Sequence, residues 1–312
     1  MSQKGFSLTM QIVDDAISLP LDRSQTGLAL LALFGGAFGI AFAPIFVRLS
    51  LVGPVATAFW RLALALPALW LWVFLEKQQE GALWRFPQRA AVFQLALAGL
   101  FFSGDLAVWH WSIRLTSVAN ATLLANFAPI FVAFAGWLFF GYRVGVTLLF
   151  GMGAALVGTT LMVGASFSVS LQHLLGDALG LITAMFYAGY ILTVKRLRDD
   201  LSTGTIMAWS GTIMAGMLFA VAFLSEEQIM PLSWQGWRPL IGLALMSQVV
   251  GQSLITYALA HLPAAFSSVG LLLQPVMATV FAWLILSETV NGFQVIGGGC
   301  VFIGIVIARR VS

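Results

Sequence analysis

"NFAPIFVAFAGW", residues 126–137, sets an asparagine and a proline into an otherwise apolar stretch, and "LLQPVMATVFAW", residues 272–283, does the same with a glutamine. In both, eight positions lead from the proline to the tryptophan, Pro129 to Trp137 and Pro275 to Trp283. With the prolines as anchor, residues 116–163 align on 262–309 at a constant offset of 146. Leu138 then meets Leu284, and Gly151, Gly153 and Gly158 meet Gly297, Gly299 and Gly304. With one gap further upstream, Gly104 and Leu115 meet Gly251 and Leu262. Identity is low, but fixed spacing of Pro, Trp and Gly over such a length marks an internal repeat.

The chain around this repeat is 60% hydrophobic and 9% charged over 312 residues. Water-soluble chains carry roughly 25% charged residues, so a soluble fold is excluded. Apolar runs of about 20 residues recur, each long enough to cross a ~30 Å hydrocarbon core. The ~10-residue alternating segments of a barrel are absent. The composition therefore predicts an all-α polytopic membrane protein. Ten spans are expected, at about 27–49, 55–75, 91–113, 117–140, 144–164, 176–195, 205–225, 237–261, 264–286 and 291–308. Residues 1–26 contain Asp14, Asp15 and Asp22 and no apolar core, so they read as a cytoplasmic tail and not as a cleaved signal. The lone Cys300 can form no internal disulfide and reads as a small packing residue.

Basic residues orient the bundle. With the N-terminus inside, the cytoplasmic segments hold Lys4, Arg23, Lys77, Arg85, Arg89, Arg143, Lys195, Arg196, Arg198, Arg309 and Arg310, eleven of the fifteen Lys and Arg. The outer segments hold Arg48, Arg114 and Arg238. Positive residues favour the cytoplasmic side, so both termini are expected there. Spans three to five match spans eight to ten, whereas spans one and two show no match strong enough to claim against six and seven. Five is odd, so the halves must cross the membrane with opposite polarity, a recurrent transporter design. The expected organisation is a first five-helix repeat at 27–164, an extracytoplasmic linker at 165–175 and a second repeat at 176–312.

Both prolines fall near the midplane. Each removes a backbone donor and frees the carbonyl four residues back, Ala125 or Leu271. Membranes tolerate this where protein or a watery cavity satisfies the freed group. Pro129 and Pro275 thus read as symmetric hinges, while Asn126 and Gln274 sit on different helical faces and are candidates to orient an asymmetric solute.

Ionisable residues inside spans are expensive and default to function. Span three carries Asp105, Trp109 and His110 in "GDLAVWHWS". Asp105 and Trp109 are four apart and share a face. The repeat pairs them with Gln252 and Thr256 in span eight, and His110 with Tyr257. Gln248, Gln252 and Thr256 form a polar stripe at i, i+4 and i+8. Two opposed helices with polar stripes suggest the walls of a wet cavity; interhelical packing bonds are the alternative. Asp105 could hold a substrate ammonium, carry a proton or cap packing against an amide. Tyr187 and Tyr190 in span six and Phe42 in span one complete the candidate substrate-binding set, with core or lipid contact as the alternative for each. Arg61 is expected to snorkel from span two to the headgroups, with Trp60 in the interfacial belt.

The chain lacks a G-x-x-x-x-G-K-[ST] phosphate loop, an H-E-x-x-H pair and a G-x-S-x-G elbow. His110, His173 and His261 are too scattered for a metal site. No catalytic residues, cofactor, metal or nucleic-acid partner is expected. Span one holds no acid, which argues against the proton-driven efflux of lipophilic cations practised by small multidrug exporters.

The paired P-x7-W helices, each followed by a Gly-rich span, resemble the drug/metabolite transporter superfamily, its EamA-type exporters above all. "WLILSETVNGFQVIGGGCVFIGIVI", residues 283–307, is similar to the acid-then-glycines signature closing each family repeat, with Glu288 at the acidic position. The first repeat departs from it, with Tyr142 where the acid is usual. The aromatic interior is most similar to YddG-type amino-acid exporters. The resemblance implies a secondary exporter of amino acids, aromatic and other neutral ones included, in the bacterial cytoplasmic membrane, working by alternating access as a monomer or weak homodimer. The alternatives are an exporter of other metabolites or drugs, proton-coupled or not, an intramembrane enzyme, and a channel.

Overall fold

The computed structural model describes residues 23–79, 87–116, 118–164, 173–287 and 289–310. Residues 1–22 of the expected tail, Glu288 and most of the 165–175 linker lie outside them. Every regular element described is helical, because in hydrocarbon each backbone polar group must be satisfied within its own segment. Ten spans result: Gln25–Leu49, Pro54–Gln79, Arg89–Trp109, Asn120–Phe140, Val146–Val163, Leu174–Asp200, Thr203–Leu224, Trp234–His261, Ala264–Ile285 and Gly292–Arg309. They follow the expected spans within a few residues. Span six differs most, since its helix continues through Lys195, Arg196 and Arg198 to Asp200.

Several spans are broken. Span one divides into Arg23–Ala41 and Ala43–Leu49, span two into Pro54–Ala63 and Leu66–Gln79, span four into Val118–Ala125 and Ala128–Phe140. Pro44, Pro67 and Pro129 each stand second in the segment that follows the break. There the missing N–H has no intrahelical partner to lose. Span nine breaks likewise into Ala264–Gly270 and Leu273–Leu286, just before Pro275. Span eight contains a ten-residue π-helical stretch, Leu243–Gln252, between two α-helical segments. Such widened turns are uncommon and occur frequently at functional sites.

Spans five and ten form the most extensive helix pair. A methyl on Gly151 would come within 2.6 Å of Gly304 O, and one on Gly158 within 2.5 Å of Gly297 O. The crossing is reciprocal, since Gly297 and Gly304 are the repeat equivalents of Gly151 and Gly158. Gly153 and Gly299 have open space beside them. Four of these six repeat-matched glycines thus form a close helix crossing inside one chain. Among the other pairs, three packs on six where eight packs on one, and four packs on six where nine packs on one. Adding or subtracting five exchanges these pairs.

Spans two and seven show an equivalence hidden in the sequence. The Glu227 carboxylate, just past span seven, accepts a hydrogen bond from Ala56 N at the start of span two (2.9 Å). Glu76, near the end of span two, accepts one from Ser202 Oγ, the N-cap of span seven (2.9 Å). Gly53 lies against Glu227 and Gly204 against Glu76. Both equivalences, Gly53 with Gly204 and Glu76 with Glu227, stand at an offset of 151. Carboxylates are stabilising at helix N-termini, so each span ends on a group that caps the other's beginning.

The two ends of the bundle differ in charge. One, called here the basic end, carries Lys77, Arg89, Arg143, Lys195, Arg196, Arg198 and Arg309. At the opposite end Asp177 accepts from Thr116 Oγ1 (2.7 Å) and Asn120 Nδ2 (3.0 Å), fixing the turn between spans three and four to the start of span six.

Candidate functional site

A polar group occupies the interior where spans two, three, six and eight meet. Arg61 does not snorkel. It lies seven residues into span two, about 10 Å along the helix from Pro54, and is only 7% exposed. Its Nε donates to Gln248 Oε1 at 2.9 Å, a bond joining residues 187 apart in sequence. Its guanidinium also stands 5.5 Å from the ring centre of Phe102 in span three, near enough for the ring's negative face to attract it. Arg61 has no other hydrogen bond among the described residues, so its η nitrogens keep their donors.

Asp105 sits one helical turn from Phe102's neighbour Phe101 and within electrostatic range of Arg61. It is half-buried, and among the described residues no amide or hydroxyl hydrogen-bonds it. Trp109 follows one turn later on the same face and is half-buried.

Span six supplies the tyrosines. Tyr187 and Tyr190 stack with centroids 6.2 Å apart, and Tyr190 lies 4.7 Å from Phe102. Gln252 Nε2 donates to the Tyr190 hydroxyl (3.1 Å), and Thr256 is within reach of the same oxygen. Thr256 Oγ1 also meets the sulfur of Met207 at 3.3 Å. Gln274, on span nine just before Pro275, reaches Tyr187. Gln252 Oε1 is buried without a partner, and an unsatisfied buried acceptor is the kind of atom a bound group would satisfy. Span eight brings its π-helical turns close because Gly36 and Gly39 of span one leave no side chain in the way. A methyl on Gly36 would lie 2.8 Å from Gly251 O and one on Gly39 2.9 Å from Met246 O. Ser247 Oγ donates to Gly39 O across this contact (3.2 Å).

Asp105, Tyr187, Tyr190, Gln248, Gln252, Thr256 and Gln274 are thus brought together, with Arg61 and Phe102 added to them. Three other candidates lie elsewhere. Tyr257 turns to the basic end, its ring 5.0 Å from that of His261 and near Arg198. Asn126 donates Nδ2 to Thr122 O on its own helix (2.9 Å) and serves the break in span four. Phe42 stacks on Phe281 at 4.0 Å, in an aromatic group with Phe38 and Phe46 where span one breaks. The side chain of His110 lies outside the described residues. Trp60 donates Nε1 to Ile229 O (2.7 Å) and packs on Trp237.

Ten helices long and apolar enough to cross a membrane, around a buried arginine, an aspartate, tyrosines and amides, define a solute carrier of the membrane. The profile of the EamA-like transporter family matches residues 27–164 and again 174–310. The chain belongs to that family, within the drug/metabolite transporter superfamily, and is a multi-pass protein of the bacterial inner membrane. It is 23% identical over 292 residues to the Pseudopaline exporter CntI of Pseudomonas aeruginosa, covering 94% of this chain and 99% of the relative. It is 25% identical to an uncharacterized transporter of Archaeoglobus fulgidus (88% of this chain, 94% of the relative). The uncharacterized transporter YdfC of Bacillus subtilis is 26% identical (86% of this chain, 85% of the relative). A solved crystal structure superposes with a TM-score of 0.74 at 18% identity, covering 93% of this chain and 99% of that one.

Proposed function

We propose that this transporter exports small zwitterions, neutral and aromatic amino acids first among them, by alternating access between the halves 27–164 and 176–312. The basic end faces the cytoplasm in this reading. The observation that carries it is a buried Arg61, bonded to Gln248 alone, with the half-buried Asp105 within electrostatic range. A guanidinium with free η donors suits a carboxylate, and an uncapped aspartate suits an ammonium. Tyr187, Tyr190 and Trp109 offer aromatic surface to a side chain. Isolated charges cost several kcal/mol in the membrane, and a zwitterion that pairs with both offsets that cost. Pro129 and Pro275 serve as hinges, and the resemblance to YddG-type exporters points to the same substrates. No step of this cycle needs an enzymatic group.

Flux of a panel of radiolabelled amino acids into proteoliposomes, with and without a pH gradient, tests the reading. Saturable flux of neutral amino acids is expected, reduced about tenfold or more by Arg61→Gln and partly retained by Arg61→Lys. Absence of saturable flux for every amino acid would overturn it. Dependence on the pH gradient would show proton coupling, with Asp105 and His110 its candidate carriers, and loss of that dependence in Asp105→Asn would assign the proton to Asp105. A second reading, export of another small metabolite through the same polar interior, is favoured by the full-length likeness to an exporter named for pseudopaline.

A further inference from the structure

A cavity of about 500 Å³ opens at the basic end, between the turn after span four, the end of span six and the turn from span eight to span nine. Arg143, Lys195 and His261 line it together with Tyr142, and none of the described residues lining it is acidic. Lys195 is half-buried and its Nζ donates to Ala260 O at 3.4 Å, so the ammonium is held at the wall. Asp199, one turn further along the same helix, is exposed and lies outside the lining. Arg196 points elsewhere, its guanidinium 4.4 Å from the ring centre of Phe140.

The cavity is in register with the central polar group. Tyr187, Ile191 and Lys195 follow one another at i, i+4 and i+8 on span six, so Lys195 stands about 12 Å along the axis from Tyr187. Gln252, Thr256 and Ala260 make the same descent on span eight. Both walls of the central group therefore continue into this cavity, and its span-four wall, Val132 to Gly136, follows directly on Pro129.

We propose that this cavity is a carboxylate-binding vestibule, where a small anionic or zwitterionic solute is first held before passing up the two helix faces to Arg61. The proposal names a first contact for the solute assigned above and so rests on that reading for the direction of travel. Its own chemistry, capture of a carboxylate by Lys195 and Arg143, is tested without it.

Benzoate serves as the probe, its binding measured by saturation-transfer NMR on the full-length protein in nanodiscs of phosphatidylcholine. Binding is expected for the wild type and for Arg196→Gln, which removes an equal charge next door. A loss of about tenfold or more is expected for the double variant Lys195→Gln with Arg143→Gln, and recovery when Lys195→Arg replaces Lys195→Gln. Equal binding by the double variant and the wild type would overturn the proposal, as would equal losses for Arg196→Gln and the double variant. Nanodiscs containing about one-fifth phosphatidylglycerol separate a solute from a headgroup. Unchanged benzoate binding there supports the vestibule, and displacement would make the cavity a lipid site and overturn it. If the wild type binds benzoate but moves no amino acid, the vestibule stands and the amino-acid assignment alone fails.

Discussion

Replacing Gly158 by alanine would place a methyl carbon 2.5 Å from Gly297 O and 2.6 Å from Val301 N. Ordinary contact begins at 3.4 Å, so spans five and ten would have to part locally by 3.4 − 2.5 = 0.9 Å. Both obstructing atoms are backbone, and no rotamer change relieves them. A gap of that size forfeits a quarter to a half of each dispersion contact along the crossing, and overpacking of this kind costs about 1–3 kcal/mol. Gly153→Ala meets nothing within 4 Å. It is expected to be neutral, or more stable by up to about 1 kcal/mol through helix propensity. The repeat supplies an internal duplicate, because Gly297→Ala would meet Gly158 O at 2.5 Å while Gly299→Ala meets nothing. Reversible unfolding in mixed micelles, followed by far-ultraviolet circular dichroism, gives the four stabilities. The expected order is Gly158→Ala and Gly297→Ala well below Gly153→Ala and Gly299→Ala. If Gly158→Ala and Gly153→Ala agree within about 0.5 kcal/mol, the glycine crossing does not hold the halves together and the reasoning is refuted.

Three further outcomes follow from particular contacts. Glu227→Ala, which strips Ala56 N of its carboxylate, should lower stability by about 0.5–2 kcal/mol, and Glu76→Ala should do the same at the other end; thermal unfolding of each variant checks this, and two unchanged midpoints would dismiss the reciprocal caps. Asn291→Ala removes a capping box in which Asn291 and Gln294 bond each other's backbone, and an expected loss of about 1 kcal/mol can be read from the same curves. Pro129→Ala should slow solute flux while leaving solute affinity within about twofold, as measured by flux and equilibrium binding side by side; unchanged turnover would deny Pro129 a hinge role.

Much of the architecture was legible because each span carries its own proof of identity. A run of about 20 apolar residues must become a helix in hydrocarbon whatever its neighbours do. The repeat was legible where close packing constrains sequence, as at Gly151 and Gly158 against Gly297 and Gly304. It was illegible for spans two and seven, where only Gly53 with Gly204 and Glu76 with Glu227 carry the equivalence. Two small residues and two acids at helix ends leave no pattern to find.

The candidate site was legible in its helical stripes. Asp105 with Trp109, and Gln248 with Gln252 and Thr256, share faces by spacing alone, and in the bundle the three span-eight residues are buried, with Gln248 bonded to Arg61 and Gln252 to Tyr190. Tyr257 is one position beyond Thr256, and that single step turns it toward His261. Asn126 could not be placed because its amide had a nearer acceptor on its own helix. Arg61 was misread for want of its partner. Its depth of about 10 Å was a signal against snorkelling, but only Gln248, far away in sequence, explains where the side chain goes.

What the sequence determined by itself, then, is the number of helices, their lengths, the proline breaks and the pairing of the last three spans of each half. These are local properties, set by backbone hydrogen bonding and by apolar length. Which wall each polar side chain faces was decided by tertiary structure alone. The same is true of the meeting of Arg61 with Phe102 and Gln248, and of the continuation of that group toward the cavity at Lys195. A charge in the membrane goes where another chain segment can satisfy it, and that segment's position is a property of the packed bundle.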